Sequence, residues 1–191
     1  MKEWWTVIYS FYRAMDYKKV LSRRLTPDDA AMVCYHTQGK AQDKEKEKLF
    51  QLLFDEDKRV ADNAAYVFTY FAFRDRQWLL PRRNGLARET MMTRSETKQR
   101  LLLKVLYDLK WEEADFDNDL LDFCFQKILS EKTSVAVRVW AMKLAFEQCR
   151  FYPELLRELQ QTLESVDASM LTSGARTARR NVMSTIGKLL S

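Results

Sequence analysis

The chain has 191 residues, 47% of them hydrophobic and 31% charged. That balance excludes a disordered segment and suffices for one self-sustaining core without staples. Only four glycines and three prolines are present, too few turn formers for a sheet protein of this length, so the expectation is all-α.

The net charge of +5 is mildly basic and does not by itself mark a nucleic-acid binder. No apolar run reaches the roughly 18 residues of a membrane span. The opening MKEWWTVIYSFYRAM is aromatic, interrupted by charge, and lacks a cleavage signal. Cys34, Cys124 and Cys149 form no CxxC pair and read as buried core thiols in a reducing compartment. The expected address is cytoplasmic, with no membrane contact.

Helical periodicity and cap signals predict about ten helices. The first covers residues 3–19. The second opens on Thr26-Pro27-Asp28-Asp29, where Thr caps, Pro fits the first position and the acids meet the positive end of the dipole. It runs to about His36 and stops at Gly39. A third covers 43–54, a break follows at Asp55-Glu56-Asp57, and a fourth covers 58–73. The fifth is short, 75–80, and ends before Pro81. PRRNGLARETMMT then reads as the longest loop. Thr93-x-x-Glu96 reads as a capping box that starts a sixth helix, continuing to Leu109. Further helices are expected over 117–129, 134–150, 153–165 and 175–190.

The second helix of each pair carries a recurring core. Val137-Arg138-x-x-Ala141 has counterparts in Val60-Ala61-x-x-Ala64, in Gln99-Arg100-x-x-Leu103, and in Ala175-Arg176 or Ala178-Arg179-x-x-Val182. Helix pairs returning about every 40 residues indicate stacked repeats. With the acidic turn DEDKRVADNAA, this core resembles HEAT and armadillo repeats; a non-repetitive helical bundle is the rival architecture. The resemblance implies a right-handed α-solenoid of about five antiparallel helix pairs. It implies one domain over 1–191, with capping helices in 1–40 and repeats in 43–190.

No GxSxG, P-loop, HExxH or Cys/His metal spacing occurs in the sequence. No catalytic residue, metal or cofactor is therefore assigned. His36, the one histidine, reads as a capping or surface residue. WEEADFDNDLLD reads as a solvated acidic turn and helix start.

Charge placement is the distinctive feature. Residues 74–107 hold nine basic groups and three acids, and residues 108–131 hold two basic groups and eight acids. The two blocks either pair internally or steer partners. Candidate binding residues are Arg82, Arg83, Arg88, Arg94, Arg100, Arg138, Arg176 and Arg179, since the planar guanidinium suits phosphates and carboxylates. The resemblance places Arg100, Arg138, Arg176 and Arg179 on the concave face. The competing reading pairs the repeat arginine with a neighbouring acidic turn. Trp4, Trp5, Tyr9 and Tyr12 form either an N-terminal cap or a partner surface.

The functional expectation is a non-enzymatic scaffold or accessory subunit that recognises a protein or peptide. The alternative is a nucleic-acid binder related, by fold analogy, to HEAT-like glycosylases that remove alkylated DNA bases. Trp111 beside Glu112, or Trp78 beside Arg76, are the candidate pairs for that alternative.

Overall fold

The computed structural model describes residues 15–191, and every regular element among them is helical. Two compact units divide at Tyr70 and Phe71. The expected first helix and its aromatic cluster, Trp4, Trp5, Tyr9 and Tyr12, lie outside the described residues apart from the last turn of that helix.

The first unit contains α1 (Tyr17–Leu21), α2 (Pro27–Thr37), α3 (Asp43–Gln51) and α4 (Lys58–Phe68). Thr26 and Asp29 start α2 with a reciprocal capping box: Asp29 N–H donates to Thr26 Oγ1 at 3.1 Å, and Thr26 N–H to Asp29 Oδ2 at 3.0 Å. After α2 the backbone turns at Gly39 with φ of 93°, a conformation that Cβ-bearing residues resist. The Gly39 carbonyl accepts from Lys46 Nζ at 2.8 Å. The last turn of α3 tightens into a 3₁₀ turn, Leu52–Phe54, and Asp57 caps α4 through Arg59 N–H and Val60 N–H. The helix α4 then packs on α1, α2 and the 3₁₀ turn. Its fully buried Val60, Ala64 and Val67 meet the i, i+4, i+7 pattern of one helical face. Asn63 on α4 donates to Leu21 O at 2.7 Å and Arg23 O at 3.0 Å, which satisfies carbonyls at the end of α1.

The second unit contains α5 (Phe73–Arg76), a 3₁₀ segment (Gln77–Arg82), α6 (Arg83–Met92), α7 (Glu96–Tyr107), α8 (Asn118–Leu129), α9 (Val135–Cys149), α10 (Pro153–Ser165) and α11 (Ser173–Leu190). Three pairs, α6/α7, α8/α9 and α10/α11, pack within themselves. The first helices touch one another in the order α6, α8, α10, and the second helices in the order α7, α9, α11. The result is two ranks of three. The α8/α9 pair is antiparallel, because it is tied at both ends: Arg138 reaches Ser130 O, and Asp117 N–H reaches Gln148 Oε1 at 3.0 Å.

The helix α9 is the hub of this unit and contacts α7, α8, α10 and α11. Its Val137, Ala141, Met142, Leu144, Ala145 and Cys149 are buried, so it is covered on more than one side, as its largely apolar sequence demands. Ala141 and Ala145, both fully buried, leave no side-chain bulk to hold neighbours away. All three cysteines are buried thiols. Burial raises the Cys149 thiol to about 12 and raises Cys124 as well.

Three local expectations are corrected. The stretch expected as the longest loop folds as α6 from Arg83 to Met92. Its buried residues Arg83, Leu86, Ala87 and Thr90 fall at i, i+3, i+4 and i+7; that period outweighs the single Gly85. The start of α7 is capped by Ser95, whose Oγ accepts from Lys98 N–H at 3.3 Å, and not by Thr93, which accepts instead from Ser95 N–H at 3.2 Å. Finally, α4 ends at Phe68 rather than near residue 73. Thr69 Oγ1 donates back to Tyr66 O at 2.7 Å, a side-chain bond that competes with helix continuation.

Two glycines should respond oppositely to alanine. An added Cβ at Gly85, inside α6, meets nothing within 4 Å, so Gly85→Ala should stabilise by roughly 0.5–1 kcal/mol. Gly39→Ala should destabilise by at least about 1 kcal/mol, because the positive φ is retained only at a cost. Urea midpoints of the two variants check the signs. In the hub helix, Ala141→Leu should cost about 1–3 kcal/mol through overpacking; an unchanged melting temperature would contradict the close approach.

Candidate functional site

The second helices recur with a strict period. Their N-caps are Asp57, Ser95, Ser134 and Thr172, successive steps of 38 or 39 residues. Four residues beyond each cap stand Ala61, Gln99, Arg138 and Arg176. In the second unit each of these side chains donates to a carbonyl near the end of the preceding helix or in the connector after it. Gln99 Nε2 reaches Thr90 O at 3.1 Å, Arg138 Nη2 reaches Ser130 O at 2.7 Å, and Arg176 Nη1 reaches Leu171 O at 2.9 Å. Helix ends leave such carbonyls without intrahelical partners, and cations are favoured there by the dipole. This periodic latch corrects the alignment in the middle repeat: Gln99, not Arg100, stands in the place of Arg138.

The basic and acidic blocks meet in part within the second unit. Arg83, 7% exposed, forms an ion pair with Asp115, donates to Lys110 O at 2.6 Å and lies over the Trp111 ring. Lys104 holds Asp108 at 2.5 Å and Arg76 approaches Asp108 at 3.6 Å, while within the basic block Lys98 pairs with Glu89 at 2.6 Å. The acidic turn is built around a 3₁₀ segment, Glu113–Asp115, where Asp115 accepts from Glu112 N–H at 2.9 Å.

The remaining expected residues separate into two groups. Arg138 is 5% exposed and Arg82 stacks 3.5 Å over the Trp78 ring; both are held by the fold. Arg88 and Arg94 are exposed and Arg100 is half-buried. Arg88 and Arg83 line a cleft of about 550 Å³ together with Asp115, Asp117 and Asp119. Arg176, Arg179 and Arg180 share another cleft on α11. Trp111, one of the two candidate aromatics, is only 2% exposed and donates Nε1–H to Leu106 O at 2.8 Å, so it is a core residue and presents no ring to a ligand. His36 is half-buried with its ring edge-on to Tyr35.

The most developed surface cluster was not anticipated from the sequence. Tyr107 at the end of α7 and Trp140 in the middle of α9 bring their rings to 5.4 Å. Lys143 Nζ lies 4.4 Å from the Trp140 centroid and 5.6 Å from that of Tyr107; Lys104 Nζ lies 5.6 Å from Trp140. Both rings and both lysines are part-exposed. This is an aromatic platform with cations over it, within the range of cation–π attraction. Glu147, one turn beyond Lys143, completes the cluster and lies 3.4 Å from Arg150 Nε. Burial raises its carboxyl above the usual carboxylate range, and Arg150 offsets this only in part. The Tyr107 phenol is also raised, first by burial and then by the Glu147 and Asp108 charges. The sequence signal was the pair of i, i+3 steps, Lys104 to Tyr107 and Trp140 to Lys143, which places each aromatic beside a cation on one helix face.

The model of a family described as a HEAT repeat domain matches residues 17–186. The chain belongs to that family. No curated protein and no solved structure matches it. No helix among the described residues is long and apolar enough to cross a membrane.

The raised Glu147 carboxyl has a testable sign. An acid whose folded pKa is raised contributes stability below its unfolded value and loses that contribution as pH rises through the folded value. Glu147→Gln should therefore be more stable than the native chain at about pH 7, and the difference should vanish near pH 4. Urea unfolding at both pH values checks this; a native-chain advantage at neutral pH would mean that the Arg150 contact outweighs burial.

Proposed function

We propose that this HEAT-repeat chain is a non-enzymatic binding module, a scaffold or accessory subunit that captures an extended segment of a protein partner on its α7–α9 face. The single observation behind this reading is the Tyr107–Trp140 platform with Lys104 and Lys143 over it. Part-exposed Trp and Tyr are the side chains that dominate protein recognition, because they combine large contact area with few rotatable bonds. Flanking cations select a partner segment that carries acidic groups beside an apolar or aromatic residue. Arg88 on α6, Arg94 in the connector and the half-buried Arg100 on α7 are proposed as further cationic contacts. Arg82, Arg83 and Arg138 support the scaffold, since each guanidinium is engaged by the fold. Trp4, Trp5, Tyr9 and Tyr12 are proposed as a second contact patch. The working location is the cytoplasm.

The same platform favours one second reading. Aromatic rings that stack bases, with cations to follow the phosphates, bind single-stranded nucleic acid. Here too the ligand would meet Tyr107, Trp140, Lys104 and Lys143.

One experiment separates the two. The intact chain is screened by fluorescence polarisation against acidic-aromatic peptides and against short single-stranded oligonucleotides at several salt concentrations. Peptide binding that weakens about tenfold or more in Trp140→Ala is the expected result. Oligonucleotide binding with a steep salt slope, lost in Trp140→Ala, would replace the peptide reading. Binding of either class that Trp140→Ala and Lys143→Ala leave unchanged would remove the platform as the site.

A further inference from the structure

From the α11 cleft we infer a binding site for a phosphate monoester carried on an organic body. The cleft is separate from the α7–α9 face and does not depend on its reading. Its volume is about 440 Å³, and its lining includes Arg176, Arg179, Arg180, Met183 and Ser184.

Arg176, Arg179 and Arg180 stand at i, i+3 and i+4 on one helix, so the three guanidinium stems share one face. Like charges at these spacings repel, and the usual remedy is an interleaved carboxylate. None is found among the described residues that line the cleft. The two acids nearest in the chain before α11 are turned to other partners. Glu164 Oε1 accepts from Gln160 Nε2 at 2.9 Å, and Asp167 Oδ1 accepts from Ser169 N–H at 2.8 Å. An anion entering the cleft would relieve this repulsion.

Two of the three guanidiniums are held in place before any ligand arrives. Arg176 Nη1 donates to Leu171 O at 2.9 Å and to Ala168 O at 3.4 Å. Arg179 Nη2 donates to Glu164 O at 3.4 Å. Neutral carbonyls fix these forks without consuming their charge. Arg179 Nε is shielded from solvent and has no hydrogen-bond partner among the described residues. Arg180 is exposed, and its fork remains free to close on a bound oxyanion.

Three cations match a dianion better than a carboxylate, and the guanidinium fork fits phosphate oxygens in a bidentate manner. The Ser184 hydroxyl supplies a further donor. Met183 gives the cleft an apolar wall, which suits the carbon body of a monoester and offers nothing to free phosphate.

The test titrates the full chain at low salt by calorimetry with three probes: phenyl phosphate, inorganic phosphate and a short DNA duplex. Phenyl phosphate should bind saturably and more tightly than inorganic phosphate. Its affinity should fall as pH is lowered from about 8 to about 5, because the second ionisation of a monoester lies near 6. Arg180→Gln, at an exposed position, should weaken it by about tenfold. Arg179→Gln should weaken it further, while Arg24→Gln, at an exposed position in the first unit, should leave it unchanged. Affinity that Arg180→Gln does not alter, or no saturable binding, would overturn the site. Equal affinity for inorganic phosphate would overturn the organic body. Duplex DNA that displaces phenyl phosphate, with a steep salt slope, would overturn the monoester and make the cleft part of a nucleic-acid track.

Discussion

The second unit depends on one constraint: α9 is apolar on more than one side and cannot exist without neighbours. A helix with a single greasy stripe needs one partner, but α9 contacts four helices. Its two alanines, Ala141 and Ala145, are fully buried, so the surrounding helices can approach its backbone closely. Around it, the ranks α6–α8–α10 and α7–α9–α11 follow from pairwise burial of ordinary amphipathic faces. The repeat is thus less a motif than a packing solution: each pair shelters the next, and the middle pair is sheltered from both directions.

The same geometry sorts the arginines. In the second unit, the side chain four residues beyond each cap donates to a carbonyl near the end of the preceding helix or in the connector after it, whether it is Gln99, Arg138 or Arg176. Arg83 is spent on Asp115 and Lys110 O. Groups locked this way stiffen the scaffold. What the ranks leave outward is the Tyr107–Trp140 platform with its lysines, the exposed Arg88 and Arg94, and the cleft on α11, the surfaces proposed above for binding. Glu147 stands beside the platform, and burial raises its carboxyl above the usual range with Arg150 opposing.

Much of the fold was legible in the sequence, for physical reasons that differ by element. The caps at Thr26 and Asp117, and Pro153 at a first helical position, announce helix starts because orphan N–H groups demand an acceptor or a proline. The repeat spacing was readable because each second helix must present the same face to its predecessor. The helix α6 was missed because Asn84-Gly85 resembles a turn, whereas Leu86, Ala87 and Thr90 bury a face that only tertiary contact rewards. The register of the middle repeat slipped by one because charge was taken as the signal, and the structure asks only for a donor of sufficient reach. The platform was invisible for a related reason. Tyr107 and Trp140 lie 33 positions apart, on different helices, and only the stacking of α7 on α9 brings them together.

That tolerance at the latch bears on how such repeats diverge. Gln99 performs with a neutral amide what Arg138 performs with a cation. Two repeats of this chain thus differ in the residue and keep the bond. A junction of this kind is therefore marked more surely by the geometry of its bond than by the letter that makes it.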